Sequence, residues 1–341
     1  MTTENLPGKA ILVLPRLRVQ NANAISSPLT WGFPAMTAFA GFMTALERRL
    51  KAEAGIGFYG VGVICHGFEP QVTRGGYTRS FQLTRNPVQQ DGSTAAIVEE
   101  GRVHLDITLV FDVELVSSLL GETERAQLAA SISELVAGMR IAGGSVMPPL
   151  PDALRRPPRP QLVLMPDDVE ERVRQFHRLS RRWLPGFALV LRDDLLQGRL
   201  LELQASAPQA TLLDAWLDLA RLNHRAVRQQ TPGAEPGQAA DDSGETIEWV
   251  ADARAGWTVP IPVGFAPLSA PHAPGAVAGA RDPGVPFCFV ESVYSIGQWI
   301  SPHRLSDIDQ LMWRPFHDLA SGLYRCVNAF RPSTFPVSHI D

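Results

Sequence analysis

The chain has 341 residues with 31 Lys and Arg against 35 Asp and Glu, a formal net charge of −4, and is 45% hydrophobic and 19% charged. That composition is globular, able to bury a core in one large or two small domains, and its mild acidity argues against nucleic-acid binding on charge alone. With no run of about 18 apolar residues, a membrane span is not expected.

The first segment, "MTTENLPGKA", lacks the basic and then apolar pattern of a signal peptide. Cys65, Cys288 and Cys326 are widely spaced, which suits a reducing compartment and gives no zinc pattern, so a cytoplasmic location is expected. Lys9 and Lys51 are the only lysines. Arginine forks to phosphate and stacks on bases as lysine does not, although a GC-rich genome explains the same bias.

"KAILVLPRLRVQ" (9–20) predicts a strand with Ile11, Val13, Leu17 and Val19 on one face and Arg16, Arg18 and Gln20 on the other. Pro15 marks an edge or a bulge. The connection that follows, "QNANAISSPLTWGFPA" (20–35), is long and rich in Asn, Ser and Thr. Its side chains suit Asx turns and caps, or donors and acceptors for a ligand beside a helix start. Trp31 is either a packing residue or a base-stacking one.

Phe39, Phe42, Met43, Leu46 and Leu50 then form a helical stripe. "GFYGVGVICHGF" (57–68) predicts a strand whose Gly60 and Gly62 let another backbone approach. The polar insertion 70–101 reads as a projecting hairpin. "EEGRVHLDITLVFDVE" (99–114) predicts a strand with His104, Asp106 and Thr108 on its polar face. A helix follows over 122–144, with Leu128, Ile132, Leu135, Val136 and Met139 in its stripe, Arg140 in its last turn and Gly143 and Gly144 ending it. "QLVLMP" (161–166) suggests a further strand.

The order strand, helix, strand, strand, helix, strand is that of a ferredoxin-like, RNA-recognition-motif-like core in an α+β fold. The core is expected over 1–165, including a hairpin thumb at about 70–101. Residues 166–341 read as a helical and loop-rich region, with 195–228 mostly helical and a mobile loop at 229–245. Arg155, Arg156 and Arg159 fall in a Pro-rich linker, and Arg172, Arg174, Arg178, Arg181 and Arg182 crowd the next helix, either as a solvated face or as a contact for phosphate or an acidic partner.

No Walker loop, GxSxG, HExxH or paired CxxC is present. Glu99 and Glu100 are adjacent on a strand and so point to opposite faces, which does not make an acid pair. His66 and His104 either hydrogen-bond within the sheet or to a ligand, or act as acid and base in a metal-independent endoribonuclease. The aromatic signature of RNA-recognition sheets is missing, so RNA binding here would rely on backbone contacts, asparagines and loops.

Six stretches together carry a specific resemblance: "LPRLRVQNANAISSPLTWGFP", "LTRNPVQQDGSTAAIVEEGR", "GMRIAGGSV", "LPGFALV", "GWTVPIPVGF" and "SPHRL". The chain resembles the Csy-two family, the Cas-five-type subunit of the type I-F CRISPR surveillance complex, over nearly its whole length. The resemblance implies a non-catalytic RNA-binding protein without cofactor or metal. It implies a role in antiviral defence in which the subunit holds the 5′ handle of the guide RNA. It further implies pairing with the large subunit, abutting the last backbone subunit, and nearness to target DNA at the protospacer-adjacent motif. On this chain the family's first loop falls on Asn21, Asn23, Ser26, Ser27, Thr30 and Trp31. Its thumb falls on Thr84, Arg85, Asn86, Asp91, Gly92 and Ser93, with Arg74 and Arg79 beside it. Its glycine-rich turn falls on Arg140, Gly143, Gly144 and Ser145, where glycine would let RNA approach the backbone.

Overall fold

The computed structural model describes residues 8–50, 55–76, 78–85, 88–89, 91–116, 120–148, 158–229, 246–252, 254, 256–318 and 320–332. Strand β1 (Gly8–Asn23) leads into a small hairpin of β2 (Ile25–Ser27) and β3 (Thr30–Trp31), then helix α1 (Met36–Leu50) and β4 (Ile56–Pro70). An arm follows, made of β5 (Val72–Gly75), β6 (Thr78–Phe81), β7 (Leu83–Arg85) and β8 (Ile97–Glu99). The chain returns as β9 (Arg102–Leu115), α2 (Glu122–Ala137), the hairpin β10 (Arg140–Ile141) and β11 (Gly144–Met147), and β12 (Gln161–Leu164).

These strands pair antiparallel. β9 lies between β1 and β4, and β11 and β12 share the other edge of β1. β1 is therefore central, and Pro15 marks a bulge: the register to β9 shifts between Leu14 and Leu17, with Arg16 at φ 55°. One extra residue swaps faces. Leu12 and Leu14 thus share a core with Leu17 and Val19, while Ile11 and Val13 face the opposite side with Arg18 and Gln20, contrary to the unbroken alternation expected from sequence.

Both α1 and α2 cover the first face. Phe39, Met43, Leu46, Ile132 and Val136 are buried there against Leu105, Ile107, Leu109 and Phe111 of β9. α2 stops earlier than its periodicity predicts. Gly138 caps it, its N–H reaching the carbonyls of Leu135 and Val136. Arg140 accordingly opens β10 instead of closing the helix, and Gly143 and Gly144 belong to the hairpin. Ala142 and Gly143 both have positive φ (48° and 79°), the geometry of a two-residue hairpin turn.

The second half continues with α3 (Val169–Ser180), β13 (Phe187–Leu191), α4 (Asp193–Ser206), α5 (Leu212–Ala220), β14 (His224–Gln229), β15 (Thr246–Ala251), β16 (Thr258–Pro267), β17 (Val290–Ile300), β18 (Trp313–Asp318) and β19 (Leu323–Asn328). Two expectations change here. The helical run stops at Ala220, and 224–229 is a strand paired with β15. The C-terminal stretch read as loop-rich supplies four strands to the main sheet. Pro260 and Pro262 disguise β16, because proline lacks the ladder amide. β16 pairs with β17 along its length but meets β19 only at Gly264 and Phe265, so no second partner needs those amides. The expected mobile loop lies, apart from Gln229, outside the described residues.

The pairings β4–β13–β17–β16–β19–β18 return to β4 through Trp313 and Val61, so six strands form a ring that shares β4 with the first sheet. The glycines of β4 permit this. A Cβ on Gly62 would lie 2.5 Å from Leu311 Cγ, and one on Gly60 would lie 3.3 Å from the Trp313 carbonyl. Trp313 is wholly buried and its indole N–H donates to the Leu189 carbonyl at 2.8 Å. On the second face of the first sheet, Ile11, Val13, Ile64 and Val110 are covered by Phe176 and Leu179 of α3 and by Leu311 and Met312. The same face is polar further along, where Arg18, Gln20, His104 and Asp106 line a groove. No helix among the described residues is long and apolar enough to cross a membrane.

Candidate nucleic-acid interface

The Asn- and Ser-rich connection is a hydrogen-bonded turn. Asn23 forms an Asx turn, donating from Nδ2 to the Ile25 carbonyl (2.8 Å) and accepting the Ile25 N–H at Oδ1 (3.1 Å). Ser27 and Thr30 are buried with their hydroxyls 2.6 Å apart, and Ser27 Oγ also accepts the N–H groups of Leu29 and Thr30. Ser26 Oγ lies 2.8 Å from Thr30 Oγ1. These side chains therefore hold the loop in shape. Asn21 differs: it is exposed at φ 57°, its backbone N–H donates to His104 Nδ1 (3.1 Å), and its side chain makes no hydrogen bond among the described residues.

The loop and the glycine turn form one unit. The Asn23 N–H donates to the Ala142 carbonyl (2.9 Å), and Gln20 pairs with Ser145 across β1 and β11. Gly144 has an internal reason to be glycine: a Cβ there would lie 2.7 Å from both Ala22 N and Gln20 O. Gly143 is exposed with open space around it, and Arg140 and Ser145 are exposed beside it. Asn23, Ser26, Arg140 and Gly143 line one cavity of about 560 Å³, with Phe265 and Tyr324 from the ring opposite.

The arm is two short ribbons in series, not one hairpin. In the first, Arg74 stands directly opposite Arg79. Both are exposed, as is Arg85 in the second, and none of the three has an ionic or hydrogen-bond partner among the described residues. Thr84 bonds within the arm, donating to Glu100 Oε2 (3.2 Å), and Glu100 also holds Arg102, which places it in the scaffold. Asp91 and Ser93 form an exposed turn with Gly92 at φ 80°, and the hydrogen bonds from Ser93 hold the Asp91 carboxyl below its ordinary range. Asn86 lies outside the described residues. Trp31 reaches the arm, its ring 5.8 Å from that of Phe81.

The polar groove on the sheet, about 270 Å³, is lined by Arg18, Gln20, Phe68, Glu69, His104 and Asp106 among others. Arg16 is neutralised by Asp106 at 2.7 Å, whereas Arg18 donates to the Pro148 carbonyl (3.3 Å) and has no carboxylate partner among the described residues. His66 is fully used. Its Nδ1–H donates to the Pro185 carbonyl (2.6 Å), its Nε2 accepts the Thr108 hydroxyl (2.8 Å), and Thr108 Oγ1 accepts the Arg16 N–H (3.2 Å). Burial lowers the His66 pKa below its ordinary value, outweighing the Pro185 bond, which raises it. His66 and His104 thus serve as hydrogen-bonding members of the sheet, His104 through its Nδ1 alone. Burial pushes the neighbouring Cys65 thiol up to about 12.

A third cavity of about 510 Å³ adjoins the other two. It shares Ser26 with the cavity at the glycine turn and Gly67 and Phe68 with the polar groove. Its walls carry Trp31, Phe33, Phe68, Phe187, Trp257 and Trp299. Trp31 was a site residue from sequence; Arg18, Gln20 and the rest of this aromatic wall were not singled out. Residues far apart in the chain form the wall, so no local pattern announces it. The exposed arginines of the α3 region, Arg178, Arg181 and Arg182, line none of these cavities.

A family model described as "CRISPR-associated protein (Cas_Csy2)" matches residues 12–326. The chain belongs to the Csy2 family. CRISPR-associated protein Csy2 of Pseudomonas aeruginosa (strain UCBPP-PA14) is 44% identical to it over 326 residues, covering 93% of this chain and 94% of that protein. The Csy2 match runs from β1 into β19, so it takes in the loop, the arm, the glycine turn and all three cavities.

Proposed function

We propose that the chain is a non-catalytic, RNA-binding subunit of a type I-F CRISPR surveillance complex, holding the 5′ handle of the guide RNA beside the complex's large subunit and its last backbone subunit. Membership of the Csy2 family supports the assembly. The strand order β12–β1–β9–β4, with α1 and α2 on one face, supports a ferredoxin-like core.

The observation that carries RNA binding is the paired arginines of the arm, unpartnered among the described residues, beside an open polar sheet face. Like charges directly opposite on a ribbon destabilise it. A polyanion laid across Arg74 and Arg79 relieves that repulsion, and guanidinium forks suit phosphate. Arg18, Gln20, the exposed Asn21 side chain and the exposed edge of the glycine turn then supply contacts for sugar and base. The commitment of both His66 ring nitrogens supports a holding role over cleavage.

Fluorescent handle RNA, bound to the chain co-purified with its large subunit and competed by a scrambled handle, tests this reading. Tighter binding of the true handle at moderate salt, with the RNA left intact, is expected. Equal binding of both sequences removes handle recognition, and cleavage lost in His66→Ala removes the non-catalytic role.

A further inference from the structure

We infer that the aromatic cavity between the Asn-rich loop and the ring is a seat for one unpaired RNA base, a role that rests on the RNA-binding reading above. Four of its rings are open to solvent at the edge of a cleft: Trp31 is 44% exposed, Phe68 41%, Phe187 42% and Trp257 57%. Large rings left open are costly unless something covers them. They are also held in fixed relation. Phe187 meets Trp257 edge-on at 5.3 Å, Trp257 lies 6.0 Å from Trp299, and Trp299 meets Phe33 edge-on at 4.9 Å. A volume of about 510 Å³ is ample for a flat ring system and its sugar.

Three features select a base as the occupant. Among the described residues no Asp, Glu, Lys or Arg lines the cavity, and the His66 ring there is already bonded at both nitrogens, so the guest is neutral and flat. The cavity shares Gly67 and Phe68 with the groove lined by Arg18, Gln20 and His104, which puts a guanidinium near for the attached phosphate. The arm with Arg74 and Arg79 rises from the same end of β4, and Phe81 near its root touches Trp31. An aromatic platform beside a cationic track is how single strands are held without a sequence code.

The test compares two oligomers on the full chain by fluorescence anisotropy at low salt: an oligoadenylate RNA and an abasic ribose–phosphate oligomer of the same length. The base-bearing oligomer is expected to bind about 5- to 150-fold more tightly, the range for stacking one base. Trp257→Ala should abolish most of that preference and Trp257→Phe should keep it. Trp257 is solvent-open, so unchanged circular dichroism verifies the fold of both variants. Equal binding of the two oligomers, both weakened by Arg74→Ala/Arg79→Ala, overturns the base seat and leaves the RNA-binding reading standing. A base preference unchanged in both Trp257→Ala and Phe187→Ala places stacking elsewhere and also overturns it. Binding of neither oligomer overturns both readings.

Discussion

Replacing Arg74 and Arg79 together by Ala isolates the electrostatic part of the account. The two stand opposite each other on β5 and β6, exposed and without an acidic partner among the described residues. Their removal relieves repulsion instead of breaking a bond, so the thermal midpoint of the free protein should not fall. RNA binding should weaken in a salt-dependent way. Each phosphate contact to a single strand contributes about 0.7 to the slope of log K against log salt, so two lost contacts flatten it by about 1.4. Between about 50 and about 200 mM salt, the wild-type advantage should therefore shrink by about sevenfold. Anisotropy titrations of labelled handle RNA at four or more salt concentrations, on wild type and double variant, measure the slope directly. An unchanged slope would refute the reasoning, as would a drop in thermal midpoint with no change in binding.

Further outcomes follow from the packing. Gly144→Ala places a Cβ 2.7 Å from two backbone atoms of β1 and should cost about 1–3 kcal/mol in urea unfolding, whereas Gly41→Ala, in α1 with nothing within 4 Å, should gain about 0.5–1 kcal/mol. Trp313→Phe removes the indole donor to the Leu189 carbonyl and should lower stability by about 1–3 kcal/mol, read from the denaturation midpoint. His66 titrates below its ordinary 6.5 in the folded state, so the unfolded chain binds its proton first and stability falls as pH drops through that value; His66→Gln should flatten the decline between about pH 7 and about pH 5 in parallel unfolding curves.

The long elements of the first half were legible because their burial is periodic: the stripe Phe39, Phe42, Met43 and Leu46, and the alternation from Val103 to Phe111, appear as expected. The face swap in β1 was not, since Pro15 signals a bulge but not which residue is left unpaired; the register against β9 decides that. β16 was hidden because Pro260 and Pro262 are tolerated only where a neighbouring strand is missing, a tertiary fact. At the site, the Asn and Ser side chains announced hydrogen bonding but not its partners, and most of it closes the turn upon itself. Arg74 and Arg79 were visible as cations, yet their opposition across a ribbon depends on the turn at Gly76. The aromatic wall joins Trp31 to Phe187 and Trp257, and no local pattern reports contacts across such separations.

The measurement that tests the central claim most directly is photocrosslinking of handle RNA carrying 4-thiouridine to the chain in complex with its large subunit, with the linked peptides read by mass spectrometry. The account predicts crosslinks in the Asn-rich loop and its Trp31, in the β5–β6 ribbon, and in the turn from Arg140 to Met147. Crosslinks confined to α3, α4 or α5, or found on the large subunit alone, would contradict it.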